Sequence, residues 1–578
     1  MNAAGTESAT FDTRAAWFLL AVVVLAAILR LSALDSIPPP LNQDEASRGY
    51  DAWAILETGA DRHGQRWPLF LESFGTGDYT AALTTYLTIP FVAILGPTTV
   101  AMRLPDAIAG ILTVVLLYLW LKRQANVHIA LLAAGILATD PWHIALTRTA
   151  HESGFTPFFL VLALLSLHRS GLLPNIAGAK VSDCPNGRRA AAWAFLAGLM
   201  LAAHTWAYPA TRLFTPLFCI AMAVIYRSHF LAMFHRGATR KTLIAAVVGL
   251  LIGAMPLILA VILHPEQLAA RARVTLLIHR NLPAEELIWG FLCNYAANIS
   301  PRYLFLQADE MSGTYIPYVG QHFLVLAPLF VVGLVRIVAG WKQNPLSRLL
   351  VVWLVLYPVP AAICADWNPH PMRTVGGMAL YPIVTALGGH WLIHLMARQR
   401  RIPRRLTAGI MTVGVIANLA HFANIYYREF PLLARPGYQT ALFEAIRFVS
   451  RHADAADFIL ITNHSNQPYI YVLLEAPIPP KELARTEKVI VEGRLGFHQV
   501  LQIGKYYFPP RDFPEAVDRF QRVWSRLPPD AEGIVIDHID RVEEGPTDDV
   551  LERIPIGILG YEGRVFEIRR WVLSDDAP

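Results

Sequence analysis

Residues 242–263 read TLIAAVVGLLIGAMPLILAVIL, a run without a single charged side chain. A helix of about 20 apolar residues spans the roughly 30 Å of hydrocarbon in a bilayer, and it satisfies its own backbone hydrogen bonds, which lipid cannot do. Residues 406–427 form a second run of this kind, interrupted only by His421. Both runs predict membrane-spanning helices rather than buried helices of a large soluble protein.

The composition of the whole chain agrees with this interpretation. Of its 578 residues, 54% are hydrophobic and only 16% are charged, against roughly a quarter charged in typical soluble domains. The net charge of +5 is small, and the basic residues lie in short loops between apolar runs, so we expect no nucleic-acid partner. The four scattered cysteines show neither metal-ligand spacing nor a paired framework.

Eleven apolar stretches predict spans. The first lacks the small-residue cleavage site of a signal peptide and is followed by Arg30, Asp35 and prolines, so we interpret it as an uncleaved span. The predicted fold class is an α-helical polytopic membrane protein with juxtamembrane helices. The predicted spans are residues 15–33, 103–121, 127–140, 154–168, 190–206, 209–226, 242–263, 322–338, 349–365, 373–396 and 406–426.

Lysines and arginines in the short loops set the orientation, because cytoplasmic loops carry an excess of them. With the N-terminus inside, Lys122, Arg123 and the five arginines of MARQRRIPRR (residues 396–405) lie in inner loops. Counting the apolar residues 81–95 as a span would place every later basic loop outside, so we expect an amphipathic juxtamembrane helix there. The short loops and the lack of an obvious retention signal favour the plasma (inner) membrane of a prokaryote.

Two long outer loops and a C-terminal domain complete the predicted organisation. Residues 1–426 form a transmembrane domain whose outer loops cover residues 35–102 and 264–321. After residue 427 charged residues and prolines become common, and the runs FILIT, YIYVLL, KVIVE, GIVID and VFEIRR predict short strands. Residues 427–578 are therefore predicted to form a small extracytoplasmic α/β domain.

The first outer loop carries the pair Asp44-Glu45 directly after the first span. Residues 45–56 have helical spacing, so Asp44 is well placed to cap a helix by accepting hydrogen bonds from its free amides. Alternatively, an unpaired carboxylate at the membrane surface acts as a general base toward a hydroxyl group. The residues alone leave both roles open.

With its surroundings, this pair resembles the GT-C glycosyltransferases, specifically the group of protein O-mannosyltransferases and lipid A aminoarabinose transferases. The matching positions are Asp44-Glu45, Gly59, Gly64, Pro68, the segment GPTTVAMRLP (residues 96–105) and Gly110. The resemblance is strong over about residues 30–170 and weaker to residue 426, and beyond that it rests on architecture. It implies the GT-C fold for the transmembrane domain.

The resemblance also implies an inverting transfer of a sugar from a polyprenyl-phosphate donor, approached from within the bilayer. Asp44 would be the general base toward the acceptor, with Glu45 setting its geometry. The phosphate of the donor requires cationic groups at the interface, and guanidinium groups bind phosphate well. The outer-face candidates for this role are Arg48, Arg103, Arg271 and Arg373; for each, the alternative is contact with a phospholipid headgroup.

A second set of candidates lies farther along the chain. In the resembling group an acidic residue joins the active-site cavity at the position of Glu152, for which a salt bridge with Arg148 is the structural alternative. Candidates for the substrate cavity are His151, His204, Tyr208 and His370, although His204, Trp206 and Tyr208 also fit an aromatic belt. Asp309 and Glu310, in the second long outer loop, are either gating residues of the acceptor site or solvated charges.

The resemblance implies one further component, a divalent metal ion. Some members of the group hold it between an acidic residue of the first outer loop and a histidine near the seventh span, positions that correspond to Asp78 and His264. Asp78 lies in FGTGDYTAAL rather than in a Glu-Lys-Pro type of motif. Two scattered ligands make no recognisable site by spacing, so the metal rests on the resemblance alone.

The predicted function is thus glycosyl transfer with a polyprenyl-phosphate-linked sugar as donor and a protein, glycolipid or polysaccharide as acceptor. A transporter or flippase is the first alternative, but transporters usually place ionisable residues near the membrane midplane and show internal repeats. Here the charges gather at one predicted membrane face, and no repeat is evident. The second alternative is a non-catalytic scaffold of GT-C type, which would tolerate Asp44→Asn.

Overall fold

The chain folds into an apolar helical bundle followed by a β-sheet domain. The computed structural model describes residues 13–75, 78–174, 185, 187–307, 316–399, 404–452, 456–462, 467–492, 497–510, 514–539, 549–555 and 564–573. Among these residues, seven helices are long and apolar enough to cross a membrane, and nine spans result if each of two bent helix pairs counts as one. The two pairs are Val127–Thr139 with Pro141–Thr147, bent by 57°, and Thr211–Ile225 with Arg227–His235, bent by 74°.

The predicted polytopic fold class is confirmed, and the difference in the number of spans has a simple origin. The predicted spans 154–168 and 322–338 contain helices of only 14 and 13 residues, Thr156–Arg169 and Ala327–Ala339. Neither reaches the roughly 20 residues that a bilayer requires of one straight helix. The protein is therefore multi-pass, with seven to nine helices that meet the length requirement within the described ranges.

The helices, in chain order, are α1 (Thr13–Leu31), α2 (Gln43–Thr58), α3 (Leu83–Leu95), α4 (Thr99–Gln124), α5 (Val127–Thr139), α6 (Pro141–Thr147), α7 (Thr156–Arg169), α8 (Gly187–Ala207), α9 (Thr211–Ile225), α10 (Arg227–His235), α11 (Gly237–Leu263), α12 (Pro265–Thr275), α13 (Ala284–Asn298), α14 (Ala327–Ala339), α15 (Pro345–Leu356), α16 (Val359–Ala362), α17 (Leu380–Gln399), α18 (Arg404–Asn424), α19 (Phe430–Leu433), α20 (Thr440–His452), α21 (Tyr469–Glu475), α22 (Pro480–Leu483) and α23 (Pro514–Trp524). Short 3-10 turns lie at Glu152–Phe155, Leu277–Arg280, Leu324–Leu326 and Val375–Gly377, and π-helical turns at Arg302–Leu306 and Ile425–Glu429.

Small residues allow the apolar helices to pack closely. A Cβ atom on Gly198 of α8 would overlap the carbonyl oxygen of Ala246 in α11, and one on Gly249 would overlap that of Phe195. Such close backbone approach is how helices associate where lipid removes the hydrophobic driving force. The short helix α3, at the predicted juxtamembrane segment, buries threonines and leaves apolar side chains such as Ile94 exposed, which suits a helix lying against lipid.

The C-terminal part of the chain contains a seven-stranded sheet of mixed direction. Its strand order is β4-β5-β6-β3-β7-β9-β8, and β3 runs parallel to both of its neighbours while the other pairs are antiparallel. A separate two-stranded hairpin in the loop before α3 consists of β1 and β2. The strands are β1 (Phe70–Glu72), β2 (Tyr79–Ala81), β3 (Phe458–Ile461), β4 (Lys488–Glu492), β5 (His498–Ile503), β6 (Tyr506–Tyr507), β7 (Glu532–Ile539), β8 (Val550–Pro555) and β9 (Val565–Val572).

One of the predicted strands is a helix. The run YIYVLL forms α21, whose residues Tyr469, Ile470, Tyr471, Val472 and Leu473 are all buried. Strand preference of aromatic and β-branched residues is strongly dependent on context, and a short apolar run cannot be assigned to strand or helix by periodicity alone. This segment is helical because it packs against α2 and α20, so that side chains all around the helix are buried.

Helix α2 lies between the bundle and the C-terminal domain, and both sides hold it. Gly49 packs directly against Met102 of α4. On the other side, the Tyr50 hydroxyl donates a hydrogen bond of 2.8 Å to the carbonyl of Ile478, and Lys481 lies 2.8 Å from Glu57. The segment that begins with Asp44-Glu45 is therefore fixed by contacts from both domains.

Candidate functional site

The start of α2 presents the acidic pair in two different environments. The helix begins at Gln43, and the side chain of Asn42 accepts a hydrogen bond of 2.9 Å from the Glu45 amide, while the Glu45 carboxylate accepts one of 3.1 Å from the Asn42 amide. The prediction that Asp44 caps this helix is wrong, because this reciprocal capping box uses Asn42 and Glu45. Asp44 lies in the first turn and is exposed.

Glu45 is bound within the protein. Nε and Nη2 of Arg103 donate to its two carboxylate oxygens at 2.9 Å each, and both side chains are fully buried. The amide of Ala150 donates a third hydrogen bond of 2.7 Å. Burial alone would raise the pKa of Glu45, but the Arg103 charge and these hydrogen bonds hold it below its usual range. Glu45 is therefore an ionised structural partner of Arg103.

The predicted phosphate-binding arginines mostly have internal partners. Arg103 also donates to three backbone carbonyls of residues 34–39. Arg48 lies 2.8 Å from Asp106, and both of these side chains are buried. Arg373 binds both carboxylate oxygens of Asp366 at 2.9 Å. Arg271 lies in α12, and its side chain falls outside what the structure describes.

The structure brings Glu152 together with His151 and Tyr208. His151 Nδ1 is 3.6 Å from a Glu152 carboxylate oxygen, and its ring meets the Tyr208 ring edge-on with centroids 6.1 Å apart. Arg148, the alternative partner of Glu152, instead donates to the backbone carbonyls of Leu29, Ser32, Ala33 and Ile37. Tyr208 also interacts electrostatically with Arg373, so these four predicted residues share one region.

Sequence reasoning missed Arg212, which belongs to the same region. It lies at the start of α9, interacts electrostatically with Glu152, and its guanidinium carbon is 5.0 Å from the centre of the Phe70 ring. Its Nε and Nη2 have no hydrogen-bond acceptor among the described residues. The signal was an arginine immediately after YPAT, at the start of an apolar helix. Arg212 is thus a partly buried cation, two of whose buried nitrogens have no acceptor among the described residues.

The remaining predicted residues make other contacts within the protein or fall outside the residues that the structure describes. His204 is fully buried between helices, with Nδ1 2.6 Å from the Thr215 hydroxyl. His370 is buried, and its amide donates to the Asn298 side chain at 3.0 Å. Asp309 and Glu310 fall outside the described residues. His204 therefore belongs to the helix packing rather than to an exposed aromatic belt.

The two residues implied for a divalent metal differ in their exposure to solvent. Asp78 is buried, whereas His264 is largely exposed and lies 3.5 Å from Glu266. Within the described part of the chain, no group of three or more His, Cys, Asp or Glu side chains is arranged to hold a metal ion. A metal held by Asp78 and His264 therefore stays a prediction from the resemblance.

The C-terminal domain contributes a tyrosine near the acidic pair. Tyr471 of α21 is fully buried, and its hydroxyl has no hydrogen-bond partner within the described ranges. Burial, together with the charges of Asp44 and Glu45, raises the pKa of Tyr471 well above its usual value. The hydroxyl therefore stays protonated and remains available as a donor on this side of α2.

Known proteins with a similar sequence or structure identify the fold. Residues 80–171 match the family model of dolichyl-phosphate-mannose-protein mannosyltransferase. No curated protein sequence matches the chain. Among solved structures, ArnT from Cupriavidus metallidurans is similar both in the apo state (TM-score 0.54, 12% identity, 96% of this chain and 98% of that chain) and bound to undecaprenyl phosphate (TM-score 0.52, 11% identity, 98% and 99%).

A third solved structure shares the fold over part of its length. The Archaeoglobus fulgidus oligosaccharyltransferase tethered to an acceptor peptide has a TM-score of 0.50 and 12% identity, and the alignment covers 81% of this chain but 63% of that chain. This chain therefore spans less than two thirds of the archaeal enzyme. The GT-C resemblance drawn from Asp44-Glu45 and the RLP segment is confirmed as the fold of this chain.

Proposed function

We propose that this chain, with its GT-C fold, transfers a sugar from a polyprenyl-phosphate donor to an acceptor at the outer face of the plasma membrane. In this reaction the acceptor hydroxyl or amine attacks the anomeric carbon, and its proton moves to Asp44. The bond from that carbon to the phosphate oxygen breaks, and the polyprenyl phosphate leaves. Attack opposite the leaving group inverts the anomeric configuration.

The observation that carries this proposal is the contrast between Asp44 and Glu45. Glu45 is buried, ionised and fully bound by Arg103 and backbone amides, so it holds the first turn of α2 in place. Asp44, one residue before it, is exposed on that rigid turn. A general base must be accessible to the proton it abstracts and held in a fixed position, and Asp44 meets both requirements.

A cation for the leaving phosphate is the second requirement. Arg212 is the best candidate, because two of its nitrogens have no acceptor among the described residues and Glu152 lies in its surroundings. Arg373 would have to exchange Asp366 for the phosphate. Guanidinium groups bind phosphate oxygens in pairs, and such preorganised donors stabilise the charge that develops on a leaving group.

The similar solved structures support the proposed classes of donor and acceptor. The Cupriavidus metallidurans structure contains undecaprenyl phosphate, which supports a polyprenyl-phosphate leaving group here. The Archaeoglobus fulgidus structure holds an acceptor peptide, which supports a polypeptide as one acceptor class beside glycolipid and polysaccharide. The predicted orientation, with the N-terminus in the cytoplasm, would place Asp44 on the side where such acceptors occur.

The test is donor turnover by the full-length protein in nanodiscs. A set of labelled polyprenyl-phosphate sugars is offered with membrane extract as acceptor, and release of polyprenyl phosphate is measured. Asp44→Asn should lower the rate by about 100-fold or more, the usual loss on removing a general base. Glu57→Gln, an exposed carboxylate on the same helix with a lysine partner, should not.

Two outcomes would contradict the proposal. If folded Asp44→Asn protein releases polyprenyl phosphate at the wild-type rate, Asp44 is not the base. If the wild-type protein, reconstituted in sealed vesicles instead of nanodiscs, moves a lipid-linked sugar across the membrane without cleaving it, the protein is a flippase.

A further inference from the structure

A cavity of about 120 Å³ lies where the C-terminal domain meets the loop between α1 and α4. Its walls come from the non-helical chain between α2 and β2, from α21 and α22, and from the paired strands β4 and β5. A cavity of roughly 150 Å³ lined by apolar side chains holds a benzene ring. The space is therefore suited to a small ring or a short branched chain.

The sequence of the two strands builds one apolar wall of this cavity. Lys488 pairs with Ile503 and Ile490 pairs with Val500, so side chains two residues apart on β4 lie on the same face. A register shift between Val489 and Ile490 leaves one extra residue in β5. This bulge returns Ile503 to the face of Val500, and both line the cavity.

The opposite wall is aromatic and cationic. Phe74 and Tyr469 line it together with Arg62. The guanidinium of Arg62 is held by the Asp51 carboxylate, by Ser47 and by the carbonyls of residues 72 and 73. Arg62 is thus fixed in position and largely neutralised.

The two histidines at the cavity contribute little free charge. His498 lies 2.9 Å from Glu72, which neutralises it when it is protonated. Burial and the neighbouring Arg62 lower the pKa of His63 to about 3, so its imidazole is neutral at physiological pH.

Lys488 is the cation at this cavity that has no acidic partner in the described ranges, and it is exposed to solvent. It lines the cavity, and no acidic side chain lies within salt-bridge distance of its ammonium group among the residues that the structure describes. Partial burial lowers the pKa of Lys488, which is the expected effect of an ammonium group without a counter-ion. An anionic ligand would supply the missing partner.

We propose that this cavity binds a small organic anion, with its apolar body against Leu473, Ile490 and Val500 and its carboxylate or phosphate group at Lys488. The ligand class follows from the two walls, since an apolar wall favours a ring or branched chain and one unpaired cation favours a single negative charge. The site differs from the one at Asp44: Tyr469 and Leu473 line the cavity, while Tyr471, on the opposite face of α21, lies near Asp44.

Fluorine NMR of 4-fluorobenzoate with the full-length protein in nanodiscs tests this proposal without any assay of sugar transfer. Line broadening should titrate with a Kd on the order of 1 mM. Lys488→Met should weaken binding at least fivefold, and Val500→Phe, which fills the cavity, should remove it. Lys481→Met, a lysine outside the cavity that pairs with Glu57, is the matched control and should bind as the wild type does.

Three results would overturn the proposal: no broadening with the wild-type protein, equal binding by Lys488→Met, or competition by inorganic phosphate at the same concentration as by unlabelled benzoate. The last result would show that charge alone accounts for binding and that the apolar wall has no part in it. Circular dichroism of each variant confirms that it is folded, and Lys488→Met keeps the test decisive if Val500→Phe does not fold.

Discussion

Arg103 binds both carboxylate oxygens of Glu45 at 2.9 Å, with no solvent exposure of either side chain. The two residues come from α4 and α2, so this ion pair joins the loop that carries Asp44 to the helical bundle. A buried ion pair contributes little net stability compared with apolar residues, but removal of one partner leaves an uncompensated charge.

Glu45→Gln should therefore lower the free energy of unfolding by about 3–5 kcal/mol, because Arg103 would lose its counter-charge in a buried position. Thermal unfolding of the detergent-solubilised protein measures this loss. Glu475→Gln breaks the more exposed pair with Arg447 and should cost less than about 1 kcal/mol. Equal losses in the two variants would contradict the structural role of Glu45.

Arg212→Met should lower kcat/KM for the lipid-linked donor by about 10-fold to 100-fold, since one guanidinium–phosphate contact would be lost. The donor dependence of the initial rate measures this effect. Arg526→Met, which breaks an exposed pair with Glu487, is the control and should leave the rate unchanged. A normal kcat/KM for Arg212→Met would remove this residue from the phosphate site.

Tyr471→Phe should raise the pKa that governs the acidic limb of kcat/KM by about half a unit. The neutral hydroxyl near Asp44 favours the ionised carboxylate, and the raised pKa of Tyr471 keeps that hydroxyl protonated. A pH–rate profile of the folded variant measures the shift. If the profile keeps its wild-type midpoint, the tyrosine acts only in packing.

The contact between His498 and Glu72 predicts a pH dependence of domain docking. The hydrogen bond that the His498 ring donates to the Glu72 carboxylate raises the pKa of His498, although burial opposes it. This contribution is therefore complete below the unfolded pKa of about 6.5 and is lost as the pH rises through the higher folded value. It amounts to at most about 1 kcal/mol, because both groups are partly exposed to solvent.

Burial would raise the pKa of Glu72, but the hydrogen bond with His498 and nearby positive charges lower it. The contribution of Glu72 is therefore present above its unfolded pKa of about 4.3 and is lost as the pH falls through its lower folded value. Hydrogen exchange of residues 497–510 at pH 6 and pH 9 should show more protection at pH 6. In His498→Gln this difference should be reduced, and an unchanged difference would contradict the assignment.

The membrane architecture could be predicted because lipid imposes one strict rule on sequence. Runs such as residues 242–263 must be apolar and of bilayer length, and α11 contains that run. The number of spans could not be predicted as well, because Thr156–Arg169 and Ala327–Ala339 are apolar but short. Their apolarity reflects packing against other helices as well as lipid.

The candidate site was only partly predictable, and electrostatics explains why. The sequence identifies arginines but not the carboxylates that neutralise them: the acidic partners of Arg48 and Arg103 are each 58 positions away, and that of Arg373 is 7 positions away. Arg212 differs from these three arginines because two of its nitrogens have no hydrogen-bond acceptor among the described residues. This difference depends on the tertiary structure and cannot be seen in the sequence. The tyrosine at Asp44 was missed because an aromatic, β-branched run resembles a strand until its surroundings are known.

The position of α2 between the two domains has a consequence for biosynthesis. Tyr50 and its hydrogen-bond partner Ile478 are separated by 428 positions, so the ribosome delivers α2 long before the C-terminal residues that contact it. Until the C-terminal domain has been made, the helix that carries Asp44 would contact only the helical bundle. The two-sided support of α2 would then be complete only after the C-terminal domain has folded against it.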